Sequence, residues 1–106
     1  MLPGMHFLMF YEFGSDYLEK RGPYRAEHLR LAWESQARGE MVLGGAYTDP
    51  ADGAALLFRC QSAEIPLQFA ASDPYVKAGL VKAWHVRKWT TVVGTDAANP
   101  VRPDAL

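Results

Sequence analysis

Residues 24–38, YRAEHLRLAWESQAR, run without a glycine or proline between Pro23, which suits the first turn of a helix, and Gly39, which suits its end. No other stretch reads so clearly as a helix, and the apolar segments around it are short. Residues 5–13, MHFLMFYEF, are rich in aromatic and unbranched apolar side chains and stop at Gly14-Ser15-Asp16, which fits a strand covered on both faces. The polar GSDYLEKRG that follows reads as a loop with room for one helical turn. After the helix, EMVLGGAY (40–47) reads as a second strand, in which Gly44-Gly45 weakens pairing or lets something approach the backbone closely. TDPADG (48–53) is a turn by its chemistry, and AALLFRC (54–60) is the returning strand of a hairpin. Ser62 can cap a shorter helix over AEIPLQFAAS, whose regularity Pro66 limits, and LVKAWHVRKWTTVV (80–93) supplies a last strand.

The order strand, helix, strand, strand, helix, strand is the ferredoxin-like split β-α-β arrangement, an α+β fold with a four-stranded antiparallel sheet and its helices on one face. Such a sheet leaves its other face bare. With three Trp, five Tyr and five Phe, that face is expected to be covered by a second copy, giving a dimeric α+β barrel and a homodimer. A length of 106 residues suits one domain, placed here at 1–93, with a C-terminal extension at 94–106 that carries two prolines and is mobile or lies on the surface.

Charge and composition remove several function classes. Apolar residues make up 49% and charged residues 22%, with a formal charge of -1, an ordinary globular balance that offers nucleic acid no basic patch. Apolar runs fall well short of the ~20 residues of a membrane span, and MLPGMHFLMFYEF lacks a basic segment ahead of a small-residue cleavage site. A cytoplasmic protein without membrane or nucleic-acid partners is therefore expected. Cys60 is the single cysteine, so it has no internal disulfide partner, and it reads as a buried strand residue.

On a helical wheel Ala26, Leu29, Ala32, Trp33 and Ala37 share one arc, while Glu27, Arg30, Glu34 and Arg38 form a solvated stripe with pairs at i,i+4. Arg25 and His28 lie one turn apart at the margin of the apolar arc, toward the side expected to meet the sheet. His28 reads either as a half-buried imidazole satisfied by a backbone carbonyl or as a general acid/base, because an imidazole titrates near ~6.5. The second role needs an orienting carboxylate on one ring nitrogen. Asp73 is the candidate, although SDPYVKAG also reads as a helix start, with Ser72 or Asp73 as cap, Pro74 at the first position and Gly79 as the stop. His6 and His85 fall in strands and suit a sheet surface or dimer interface. No HxH, HxxxH or paired-cysteine spacing supports a metal site.

Three features in this order resemble the YCII-related (YciI-like) family over roughly residues 5–93: Arg25-Ala26-Glu27-His28-Leu29, then Gly44-Gly45, then DPYVKAGLVKAW at 73–84. The resemblance implies a ferredoxin-like domain that dimerises into a barrel, with an active-site histidine and aspartate that fall on His28 and Asp73, and Arg25 matching the arginine ahead of the histidine. One branch of that family resembles cofactor-free lyases that remove halide from a chlorinated hydroxyquinol, and the wider superfamily includes muconolactone isomerases and small monooxygenases. The chain departs from the pattern at Tyr24-Arg25-Ala26, where relatives often place a proline after the arginine.

These observations set the expectation of a small lyase or isomerase with no organic cofactor and no metal. In it, His28 and Asp73 move a proton on a small cyclic or aromatic-derived substrate, Arg25 holds an anionic oxygen, and Tyr75 and Phe7 line the cavity. A non-catalytic small-molecule-binding or protein-interaction module on the same barrel, and a cofactor-free monooxygenase, stand as alternatives.

Overall fold

A computed structural model describes residues 4–105. Met1–Pro3 and Leu106, the outermost positions of the expected domain and extension, lie outside the described residues. Strand β1 spans Met5–Phe13, followed by a single helical turn α1 (Tyr17–Lys20) and the long helix α2 (Gly22–Ala37). The hairpin of β2 (Met41–Ala46) and β3 (Gly53–Cys60) comes next, then α3 (Glu64–Ser72), the short α4 (Pro74–Lys77) and β4 (Val81–Trp89). The strands lie in the order β2-β3-β1-β4 and all neighbours run antiparallel. This is the split β-α-β arrangement that the order of segments predicts.

Side chains alternate across a pleated sheet, so the register decides which residues meet the helices. Phe7 pairs with Phe58, Met9 with Leu56 and Tyr11 with Ala54, and all six side chains are buried on the helix side. Phe69 of α3 meets Phe58 with ring centroids 5.8 Å apart, which closes the core between helix and sheet. The opposite face carries Leu8, Phe10, Leu57 and Leu43, of which Leu43 is 70% exposed. That face is open.

β4 ends at Trp89 rather than continuing to residue 93. Trp89 pairs with His6 near the start of β1, and the described pairing of the two strands ends there. The chain turns instead. Thr91 receives Asn99 N on its carbonyl and Ala98 N on its hydroxyl, and the same hydroxyl meets His6 Nδ1 at 2.7 Å. Arg59 donates to the carbonyl of Asp96. These hydrogen bonds tie residues 96–99 to Thr91 and Arg59.

Helix α2 is docked differently from the wheel. Its inward residues are His28, Leu31, Ala32 and Ser35, whereas Arg25, Leu29 and Trp33 are exposed, Trp33 by 68%. A wheel weighs only hydrophobicity, and here the buried acceptor Asp73, between α3 and α4, meets His28 on the inward side, with the apolar arc turned toward an edge of the fold instead of its core. The sheet itself is close to its packing limit at Gly53, where an added Cβ would sit 2.5 Å from the carbonyl oxygen of Tyr11 and 2.9 Å from the Tyr47 ring. We expect Gly53→Ala to lower unfolding stability by about 1–3 kcal/mol through this clash, read as a drop in the urea midpoint at unchanged slope.

Candidate active site

Asp73 ends α3 in an extended conformation and caps α4, its Oδ1 accepting Tyr75 N at 3.0 Å. Ser72-Asp73-Pro74 therefore does what its local chemistry predicts, with Asp73 rather than Ser72 as the cap. The same carboxylate, fully buried, takes two further donors from distant parts of the chain. His28 Nδ1 lies 2.9 Å from Oδ1, and Tyr11 O–H donates to Oδ2 at 2.7 Å. A carboxylate accepts and an imidazole Nδ1–H donates, so the contact leaves the other nitrogen of the His28 ring as the one able to act on a bound molecule.

An aromatic stack fixes the imidazole. The Tyr75 ring lies face to face with His28, centroids 4.0 Å apart and planes 11° from parallel, and Phe69 meets it edge-on at 6.3 Å. Tyr17 stands edge-on to Tyr75 at 5.6 Å and stacks on Phe13 at 3.6 Å. Burial and the nearby Tyr17 raise the Tyr75 phenol above its ordinary value, so it stays protonated at neutral pH. Burial, and then the negative charge of Asp73, push the Tyr11 phenol up as well.

His28 lies on the wall of a cavity of about 560 Å³ between α2 and the β2 edge, a size in the range of small-molecule sites. Arg21, Arg25, Tyr11, Tyr17 and Tyr75 supply its polar wall, while Leu29, Trp33, Met41 and Leu56 supply much of its apolar one. Gly44 and Gly45 line the β2 side, where the missing side chains leave the wall thin. The apolar arc of α2 thus faces this cavity. Among the described lining residues there is no carboxylate, so the fixed charges facing a ligand are the guanidinium groups of Arg21 and Arg25.

The expected residues are thus largely brought together: His28 meets Asp73, Tyr75 stacks on His28, and Arg25 lines the same cavity. Phe7 is the exception. It is buried against Phe58 in the core and does not line the cavity, because its position is two rungs of β1 away from Tyr11 and three from Phe13, which do. Tyr11 was not singled out from the sequence. The available signal was alternation: Tyr11 shares the inward face of β1 with Phe7, and a phenol there needs a partner. His6, His28 and His85 lie apart, His6 on Thr91 and His85 stacked on Phe10, and no group of three or more His, Cys, Asp or Glu side chains gathers among the described residues. Cys60 is buried with its thiol raised by burial, and its Sγ lies 3.3 Å from the Ser62 carbonyl.

Comparison with known proteins bears on this arrangement. The YCII-related domain matches residues 5–90. The chain belongs to the YCII-related family. A solved structure of similar fold is 5-chloro-2-hydroxyhydroquinone dehydrochlorinase from Burkholderia phenoliruptrix in complex with 2,5-dihydroxybenzoquinone. It is 25% identical to this YCII-related chain with a TM-score of 0.70, over 82% of this chain and 95% of that one. The curated proteins contain no match. No helix among the described residues is long and apolar enough to cross a membrane.

The carboxylate is the site's most sensitive point. In Asp73→Asn one oxygen can still accept from His28 and Tyr75 N, but the amide NH2 then faces Tyr11 and the phenolic proton loses its acceptor. A loss of about 1–3 kcal/mol in unfolding free energy is expected, with the native circular dichroism spectrum retained.

Proposed function

We propose that this YCII-related protein is a small enzyme of lyase or isomerase type that moves a proton on a hydroxylated, aromatic-derived ring and needs no organic cofactor. The observation that carries the reading is the 2.9 Å contact between His28 Nδ1 and the buried Asp73 on the wall of the cavity. An orienting carboxylate behind the ring is what a general base of this kind requires. The choice of a hydroxylated ring as substrate class is supported by the dehydrochlorinase of similar fold, which is named for a chlorinated hydroxyhydroquinone.

In the proposed reaction His28 Nε2 takes a proton from a ring hydroxyl or from carbon beside a carbonyl. The electron pair left behind enters an enolate, and Arg25 stabilises the oxygen on which that charge collects. In an isomerase the imidazolium returns the proton to another carbon. In a lyase the pair instead expels a leaving group such as halide from the adjacent position, and the proton leaves to solvent. Asp73 does not change its protonation; it holds the imidazole and stabilises its charged form. Tyr75 fixes the plane of the base from below, and the apolar walls given by Leu29, Trp33 and Leu56 receive the ring.

The test is turnover of chlorinated hydroxyhydroquinones and related hydroxyquinones without added cofactor, followed by chloride release and ring absorbance, with oxygen consumption monitored beside it. We expect His28→Ala and Asp73→Asn to lose at least ~10²-fold in kcat while remaining folded, the usual scale for a positioned acid/base. Full activity in either variant removes the dyad, and stoichiometric oxygen uptake points to monooxygenation instead.

A second copy of the chain belongs, in this proposal, on the open sheet face. Leu8, Phe10, Leu43 and Leu57 present a contiguous apolar surface there, and Trp89 at the edge is 46% exposed. Monomers seldom leave so much apolar area in water. Sedimentation equilibrium at micromolar concentration should return twice the chain mass, and a monomer mass throughout that range would remove the barrel.

A further inference from the structure

The proposed acid/base pair does not end at Asp73. On the side away from His28, Asp73 Oδ2 accepts a hydrogen bond from Tyr11 O–H at 2.7 Å, while Oδ1 serves both His28 Nδ1 and Tyr75 N. We propose that Tyr11 is a positioning residue that sets the proton affinity of the His28–Asp73 pair through the one carboxylate oxygen that His28 does not touch. The inference rests on the acid/base reading of that pair, but it is measured without substrate.

Three observations support it. First, Asp73 is fully buried, and no lysine or arginine pairs with it among the described residues, so its oxygens are met by the hydrogen-bonding groups of Tyr11, His28 and Tyr75. A buried carboxylate is costly unless its lone pairs are met, and Tyr11 is the donor on Oδ2. Second, Tyr11 is held where it is. It lies in a central strand, 3% exposed, paired across to Ala54 and Trp84, with the Phe13 ring 6.4 Å away. Third, the phenol keeps its proton. Burial and the adjacent carboxylate both raise its titration, so at neutral pH it donates to Asp73 and does not itself act as the acid.

The direction of the effect follows. Deleting the hydroxyl removes a donor that stabilises the negative carboxylate. Asp73 then becomes a stronger base, and the imidazolium beside it becomes easier to form. The groups facing the pair from other elements do not cancel this. Tyr75 of α4 stacks on His28, Phe69 of α3 is apolar, and Tyr17 of α1 accepts from Arg21, which lies between α1 and α2. On α2, Arg25 precedes His28 by one turn, and Glu27 is tied to Arg30. Lys77 of α4 acts on Glu27. All of these are unchanged when only the Tyr11 oxygen is removed.

Tyr11→Phe separates this role from mere packing, since it keeps the ring and deletes the oxygen. The measurement is an NMR pH titration of the histidine ring signals, with His6 and His85 as internal controls. We expect the His28 midpoint to rise by about one pH unit in Tyr11→Phe, a tenfold gain in proton affinity, and to fall in Asp73→Asn. Site-specific 3-fluorotyrosine at position 11, a more acidic donor, should move the midpoint down, and it serves as the test if Tyr11→Phe does not fold. A His28 midpoint unchanged within about 0.2 units in folded Tyr11→Phe, or a rise with the fluorinated donor, overturns the proposal. The two readings fail separately. A shifted midpoint together with fully active His28→Ala leaves Tyr11's role standing and removes the acid/base reading. Inactive dyad variants with an unshifted midpoint do the reverse.

Discussion

A single carboxylate, buried and without a lysine or arginine partner among the described residues, ties three separate parts of this chain to one point. Asp73 accepts the amide of Tyr75 within its own turn, the imidazole of His28 from α2 and the phenol of Tyr11 from β1. A buried acceptor left unmet costs more than most apolar contacts contribute, so the surrounding elements are oriented to meet it. Helix α2 illustrates the consequence. It turns His28 inward and leaves Trp33 in the open, an orientation that hydrophobicity alone would not select.

That rotation also makes the cavity. With its apolar arc turned toward the edge strand, α2 contributes Leu29, Ala32 and Trp33 to one wall, and β2 with its two glycines contributes the other. The polar groups cluster at the end where His28 emerges. In the proposed reaction, a planar, oxygen-bearing substrate between these walls would meet an imidazole backed by a carboxylate, with guanidinium groups beside it and no carboxylate among the described lining residues. The contacts among Phe13, Tyr17, Tyr75 and His28 give this end of the cavity little freedom to reorganise, which suits the proposed acid/base role.

Most of the fold could be read from residue order. The break at Gly14, the run from Pro23 to Gly39, the turn at TDPADG and the alternating apolar segments place each element within a few residues of where it lies. The last strand was the main overreach. Residues 90–93 have strand-like composition, but Thr91 and Val92 take their hydrogen bonds from Ala98, Asn99 and Val101 of the chain that follows, not from a strand. Within the site, His28, Asp73, Arg25 and Tyr75 were legible from side-chain chemistry and from the likeness of their motifs to the YCII-related family. Phe7 and Tyr11 were not separable in the same way, because both are inward-facing aromatics of one strand. Only the register against β3 and β4 shows which of them reaches the end of the sheet where Asp73 lies.

By itself, then, the sequence determined the element order, a helix start at Ser72-Asp73-Pro74 and which side chains carry groups able to exchange protons, since these depend on local backbone preference and side-chain type. Tertiary structure alone decided that a helix cap is also the partner of an imidazole 45 positions earlier and of a phenol 62 positions earlier. The reason is physical. A carboxylate has two oxygens and several lone pairs, the local turn uses one of them, and which distant donors fill the rest is set by how the helices pack onto the sheet.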